Sequence, residues 1–424
     1  MIEVTVTAML NQFMNCRQHR LLLSAFIIIS LLETTPLAQA KNTEAFQNMV
    51  KTHNAFAIEL FNTIANIQSE NILLAPYSTS TALAMTYIGA RGETQLEISK
   101  VFGWPLASKK VSQGMGELRA ILSAANTIEG IDLNATSGIW VDHSLNLLHD
   151  FTQQSKQLYD VAPQSVDFQK SPDTSRQIIN QWVQQMTHGR ITDLIPSGKL
   201  DALTRLLLVT ATHYKGIWAK PFNTHETQPS RFWHSLTDST SIPLMTQQHR
   251  FPYADTEDFQ ILELPYVQNH LSMIFLLPKN QENLTEREIP FKNPKLEKWI
   301  ESLKPRFVKA SIPRFQMSAG FDLSQTLSSM GMPLAFDQQA DFSGMSDAVD
   351  LRLAAVFHKG FIEVNEEGTE AAGSTGAVME GRSLPTVPPV VFRADHPFFF
   401  IIRENHSGLM LFLGKVSNPS ASPS

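Results

Sequence analysis

The chain reads as an α+β fold, on three observations. Phe46, Met49, Val50, His53, Phe56, Ala57, Leu60, Phe61 and Ile64 recur at helical spacing near the start. Apolar runs dominate the second half: Leu206 to Val209, Ser272 to Leu277 closed by Pro278, and Phe398 to Arg403 with Leu409 to Leu413 around a turn. Helical patterns come early and strand patterns late, which argues against alternating β–α–β units. With 424 residues, 43% hydrophobic and 17% charged, the chain can bury a large globular core. A net charge of −6 without a long basic run argues against nucleic acid as a partner.

Residues 1–40 read as a signal peptide, with Met14 as an alternative start. Arg17, His19 and Arg20 precede the apolar run Leu21 to Leu32, which is too short for a membrane span. Ala38-Gln39-Ala40 is a small-residue cleavage pattern. The expectation is a secreted protein, extracellular or periplasmic, with one domain over 41–424. Cys16 is the only cysteine, so the mature chain would carry no thiol, disulfide or thiolate metal site. Thr94 to Phe102 predicts a helix stopped by Gly103. Ile178, Ile179, Trp182, Val183 and Met186 form another stripe, expected to face the core. Leu206 to Val209 predicts a buried central strand, and Asn405 to Gly408 the turn of a hairpin.

No common enzyme signature is present. The chain lacks a G-x-S-x-G elbow, H-E-x-x-H and a P-loop, and Gly114-Met115-Gly116 opens no dinucleotide unit. The 13 histidines are scattered without metal-ligand spacing, so no metal site is expected. Most informative is the stretch 366–383, a run of small residues ending in Arg382. With period two, Thr369, Ala371, Gly373, Thr375, Ala377 and Met379 fall on one side, all uncharged; Glu370 and Glu380 fall on the other. Its Gly/Ser content is nevertheless that of an exposed loop. A segment that fits both descriptions is a candidate for switching between them.

The surrounding residues resemble the serpins. His358 to Ala372 is similar to the family's hinge, and Arg393 to Arg403 to its C-terminal signature. Asn71 to Ser78 with Ala82 to Met85, Asn180 to Val183 with Thr187, Gly189 and Ile191, and Asp341 to Ser346 match further blocks, in order. The resemblance runs from about Phe46 to Pro419. It implies three β-sheets, about nine helices and an exposed reactive loop at about 366–388. It further implies a suicide inhibitor, not an enzyme. The target protease would attack the loop and form an acyl-enzyme, and the hinge would then insert as a new strand and distort the protease.

The family's loop length puts the reactive bond at Arg382–Ser383, with Gly381 and Glu380 flanking it. Glu366, Gly368, Thr369, Glu370, Ala371, Ala372, Gly373, Ser374 and Thr375 form the hinge. Arg382 would select trypsin-like serine proteases. Arginine-specific cysteine proteases, and a non-inhibitory carrier or chaperone role, stay open as alternatives. Ser78, Thr210, His358 and Trp218 match positions that govern opening of the large sheet. Ala75 stands where serine is usual and Thr210 where asparagine is usual, which predicts a looser cluster and a risk that the monomer forms loop–sheet polymers. Gln113 to Asn126 contains only Arg119, with Lys109 and Lys110 before it, so no heparin-type cofactor is expected.

Overall fold

In the computed structural model, residues 44–280, 289–292, 294–348, 351–369 and 388–420 are described. Residues 1–43, expected from the sequence to hold a signal peptide, and residues 370–387 lie outside them. The chain divides into two units, Met1–Asn48 and Met49–Ser424. In the first, residues 44–48 are helical.

Eight α-helices occur among the described residues. The four that matter below are α1 (Glu44–Ala65), α2 (Pro76–Gly89), α3 (Gly92–Phe102) and α6 (Pro172–Met186); α4 is Ser108–Ala125 and α5 His149–Tyr159. From Met49 onward the α1 stripe is buried as its periodicity predicts. Helix α3 begins two residues before the predicted start and stops at Gly103, whose φ of 63° supplies the left-handed cap. Helix α2 opens on a proline at its first turn and buries every residue but Thr81, so it runs through the interior against β2 (Ile131–Asp142) and β4 (Leu206–Ile217). In α6, Ile179 and Val183 are buried, but Ile178 is 45% and Met186 41% exposed. The predicted stripe was therefore too wide: adjacent residues 178 and 179 point about 100° apart on a helix and cannot share one face.

The six-stranded sheet has the order β10-β11-β12-β4-β2-β3, with β3 Gln164–Val166, β10 Phe315–Asp322, β11 Leu353–Val364 and β12 Gly368–Thr369. Helix α6 covers one face through Ile179 and Val183, which pack with Trp140, Phe168, Leu207, Val209 and Phe357. Such side chains contribute about 1.5–3 kcal/mol each. Among the described residues the other network has nine strands, ordered β1-β15-β14-β8-β7-β6-β9-β13, with β5 on β6; β1 is Ile72–Leu74, β8 Leu271–Pro278 and β13 Val390–Arg393. The hairpin β14 (Phe398–Glu404) and β15 (Met410–Val416) lies where its pattern predicts. The three expected sheets thus occur as two hydrogen-bonded networks. The 17-residue β6 (Ser239–Asp255) pairs along its length with β5 (Gln228–Trp233), β9 (Lys304–Pro313) and β7 (Phe259–Pro265), so it joins what would be two sheets.

Candidate functional site

Strands β4 and β11 are parallel neighbours from Leu206 with Leu353 to Tyr214 with Ile362. Beyond that point they fork. The two residues of β12 occupy the gap, antiparallel to both: Thr369 faces Gly216 on β4 and Val364 on β11, and Gly368 faces Ile217. The sheet is closed along most of its length and open by two residues at one end.

Local chemistry fixes that wedge. Asn365 makes the turn out of β11, its Oδ1 accepting from the amides of Glu367 and Gly368 at 3.1 and 3.2 Å. Gly368 is required because a Cβ there would run into the carbonyl of Gly216. Thr369 is fully buried, and its hydroxyl meets the Tyr266 hydroxyl at 2.7 Å. Tyr266 stacks on Trp218, with ring centres 4.5 Å apart and planes at 11°. Trp218 Nε1 donates to the Asn365 carbonyl at 3.0 Å, and its amide to the Glu367 carbonyl at 2.9 Å. Glu366 is buried and held from three directions: Arg314 donates through Nε at 3.1 Å and Nη2 at 2.5 Å, and Thr227 Oγ1 at 2.6 Å. Burial pushes the Glu366 carboxyl up, but those donors outweigh it and hold it below its ordinary range.

Lower in the sheet, His358 on β11 is fully buried. Its Nε2 accepts from the Ala75 amide at 3.1 Å, which fixes the proton on Nδ1. Nδ1–H then donates to Thr210 Oγ1 at 2.9 Å, across the β4–β11 boundary, and Thr210 donates on to the Phe357 carbonyl at 3.2 Å. The loosening expected from Ala75 is offset, because its main chain supplies the bond its side chain cannot. The Ser78 hydroxyl is bonded elsewhere than to His358. It donates to the Ala75 carbonyl at 3.0 Å and accepts from Thr212 at 3.0 Å. Trp218 stands apart from these three, eight residues beyond Thr210, roughly 25 Å along the strand. Sequence reasoning missed Tyr266, Arg314 and Thr227, which lie far from the hinge in the chain. Of the predicted hinge and reactive-bond residues, Glu366, Gly368 and Thr369 are described. Glu370, Ala371, Ala372, Gly373, Ser374, Thr375, Glu380, Gly381, Arg382 and Ser383 lie outside the described residues.

A family model described as "Serpin (serine protease inhibitor)" matches residues 51–419. The chain is 35% identical to the leukocyte elastase inhibitor of Bos taurus and 33% identical to Serpin B3 of Homo sapiens. Each match covers 88% of this chain and 100% of the relative. Among solved structures, human thyroxine-binding globulin bound to its hormone superposes with a TM-score of 0.79 at 30% identity, covering 89% of this chain and 100% of that one. These relatives correct one expectation. The leukocyte elastase inhibitors and B-type serpins are intracellular, so the secreted location read from residues 1–40 does not stand. A twelve-residue apolar run is a weak signal, because a stretch of buried helix has the same composition.

Two predictions follow from this geometry. Burial lowers the pKa of His358 to about 4, and that of His53 likewise to about 4. Both are depressed below the ordinary 6.5, so the stability they confer is present above pH 6.5 and lost as pH falls towards 4. Denaturant midpoints measured across that window should drop by the equivalent of about 3 kcal/mol per histidine. Gly368→Ala should expel β12, shift the Trp218 emission to the red and cost about 1–3 kcal/mol.

Proposed function

The chain belongs to the serpin family, a family of protease inhibitors rather than enzymes, and on that premise we propose that it traps trypsin-like serine proteases through an Arg382–Ser383 reactive bond. The observation that carries this reading is the fork. Gly368 and Thr369 already lie between β4 and β11, so the first two residues of an added strand are in register. Paired numbers on β12 and β4 total 585, whether 368 with 217 or 369 with 216. Continued downward, that register sets Thr375 opposite Thr210 and Met379 opposite Leu206, the first residue of β4.

The protease serine attacks the Arg382 carbonyl. The peptide bond breaks, the amine of Ser383 leaves with a proton, and an ester links Arg382 to the enzyme. Before cleavage the loop is fastened at both ends, at Thr369 in one sheet and at Val390 in β13 (Val390–Arg393), which pairs with β9 in the other. Cleavage frees one end. Each added residue then gains a ladder hydrogen bond worth about 0.5–1.5 kcal/mol, on the order of ten in total for residues 370–379. The strand must pass between Thr210 and His358 and break their bond, a cost of about 1–3 kcal/mol. The gain exceeds the cost, so insertion runs forward once the tether is cut. Apart from Glu370, which falls on the outward side, the residues over 369–375 are small and reduce the steric cost of entry.

The test is a mixture with trypsin, resolved on denaturing gels, with mass analysis of the released peptide. A detergent-stable complex and a peptide beginning at Ser383 are expected. Clean cleavage without a complex would favour the carrier reading, which the likeness to thyroxine-binding globulin keeps in view. Arg382→Ala should slow trypsin trapping at least a hundredfold, since it removes the cation that fills the primary pocket. Thr369→Arg places a charge at a fully buried position. It should turn the protein into a cleaved substrate with recognition intact; a variant that still traps protease would falsify the insertion account.

A further inference from the structure

We propose that Asp132, His188 and His213 form a binding site for one divalent transition-metal ion of the zinc class. Asp132 lies on β2, His213 on β4, and His188 two residues past the end of α6. One ligand atom from each lies within 4.8 Å of the others. Since Asn134 pairs with His213, Asp132 is the diagonal neighbour of His213 on the same face. His213 Nε2 and Asp132 Oδ2 stand 3.4 Å apart. That is long for a hydrogen bond, but it is the edge of a tetrahedron around zinc with ligands at about 2.0–2.1 Å. The His188 ring crosses that of His213 with centres 5.6 Å apart and planes at 73°.

His213 is the buried member of the cluster. His213 is only 3% exposed, yet its Nδ1 has no hydrogen-bond partner among the described residues. Nε2, the nitrogen that faces Asp132, is then its only polar attachment, and an ion there would hold the ring where a 3.4 Å contact does not. His188 has a φ of 52°, a left-handed conformation in which histidine is enriched beside asparagine and aspartate. The end of α6 is anchored over the sheet where Asn134 Nδ2 donates to the Met186 carbonyl at 2.7 Å, which keeps His188 above His213. Asp132 is 48% exposed at its side chain and His188 is exposed, so solvent can supply the fourth ligand. Arg190 adds a positive charge nearby, which the Asp132 carboxylate opposes. The cluster joins the end of α6 to β2 and β4, the half of the sheet that must part from β11. A metal here should therefore slow strand entry; that consequence rests on the insertion reading, whereas the site itself does not.

The experiment titrates the tag-free, metal-stripped full chain with Co²⁺ and follows its visible d–d absorption. One equivalent should bind and be displaced by Zn²⁺. His188→Asn, which tolerates the same backbone, and His213→Phe should abolish the band, and Asp132→Asn should weaken binding at least tenfold. His406→Ala, in a separate histidine cluster, should leave the band unchanged. No band in the wild type, or a band that survives His188→Asn, overturns the site. Zn²⁺ should also slow trypsin complex formation in the wild type and not in His188→Asn. An equal effect in both overturns the tethering consequence, and the cobalt band judges the site even if no protease is trapped.

Discussion

The pairing of β4 with β11 is the constraint on which the rest depends. Two parallel strands are sealed together, and buried side-chain hydrogen bonds from His358 to Thr210 and from Thr210 to the Phe357 carbonyl cross their boundary. Buried bonds of this kind are expensive to leave unmade and modest to exchange. The boundary therefore resists water but yields to another strand, which replaces every ladder bond that it breaks. The core beneath bridges the boundary, because α6 packs on Leu207 and Val209 of β4 and on Phe357 of β11.

The fork is poised by opposed requirements at its mouth. Gly368 lets two backbones approach more closely than a side chain allows, Gly216 leaves room for the Tyr214 and Tyr266 rings, and Trp218 with Tyr266 forms a flat platform that receives Thr369. Glu366, clamped by Arg314 and Thr227, fixes the turn just outside. Breaking a pair with one buried partner costs more than the pair contributes, because the remaining charge is stranded. The wedge is thus held in place at two residues, and the chain is next paired at Val390, in β13 of the other network. The same logic gives the histidine cluster over β2 and β4 its significance. A tie between helix and sheet acts on the half that has to move.

Much of this was legible in the sequence, for physical reasons. Period-two and period-3.6 patterns report burial directly, so α1 beyond Met49, β8 (Leu271–Pro278) and the β14–β15 hairpin lie where the apolar residues predict. The hinge glycine, the small residues after it and the lone Arg382 are local signals, as are Thr210 and His358 once their blocks are seen together. Tertiary structure alone decided what distant residues do to one another. It put the Ala75 amide on His358, separated Trp218 from the cluster it was grouped with, exposed Ile178, and brought Tyr266, Arg314 and Thr227 to the hinge. It also gathered Asp132, His188 and His213, whose spacing carries no motif. Sequence periodicity records which side of an element faces the core. It holds nothing about which elements meet, because those contacts depend on sheet register and on backbone bonds that any side chain can accompany.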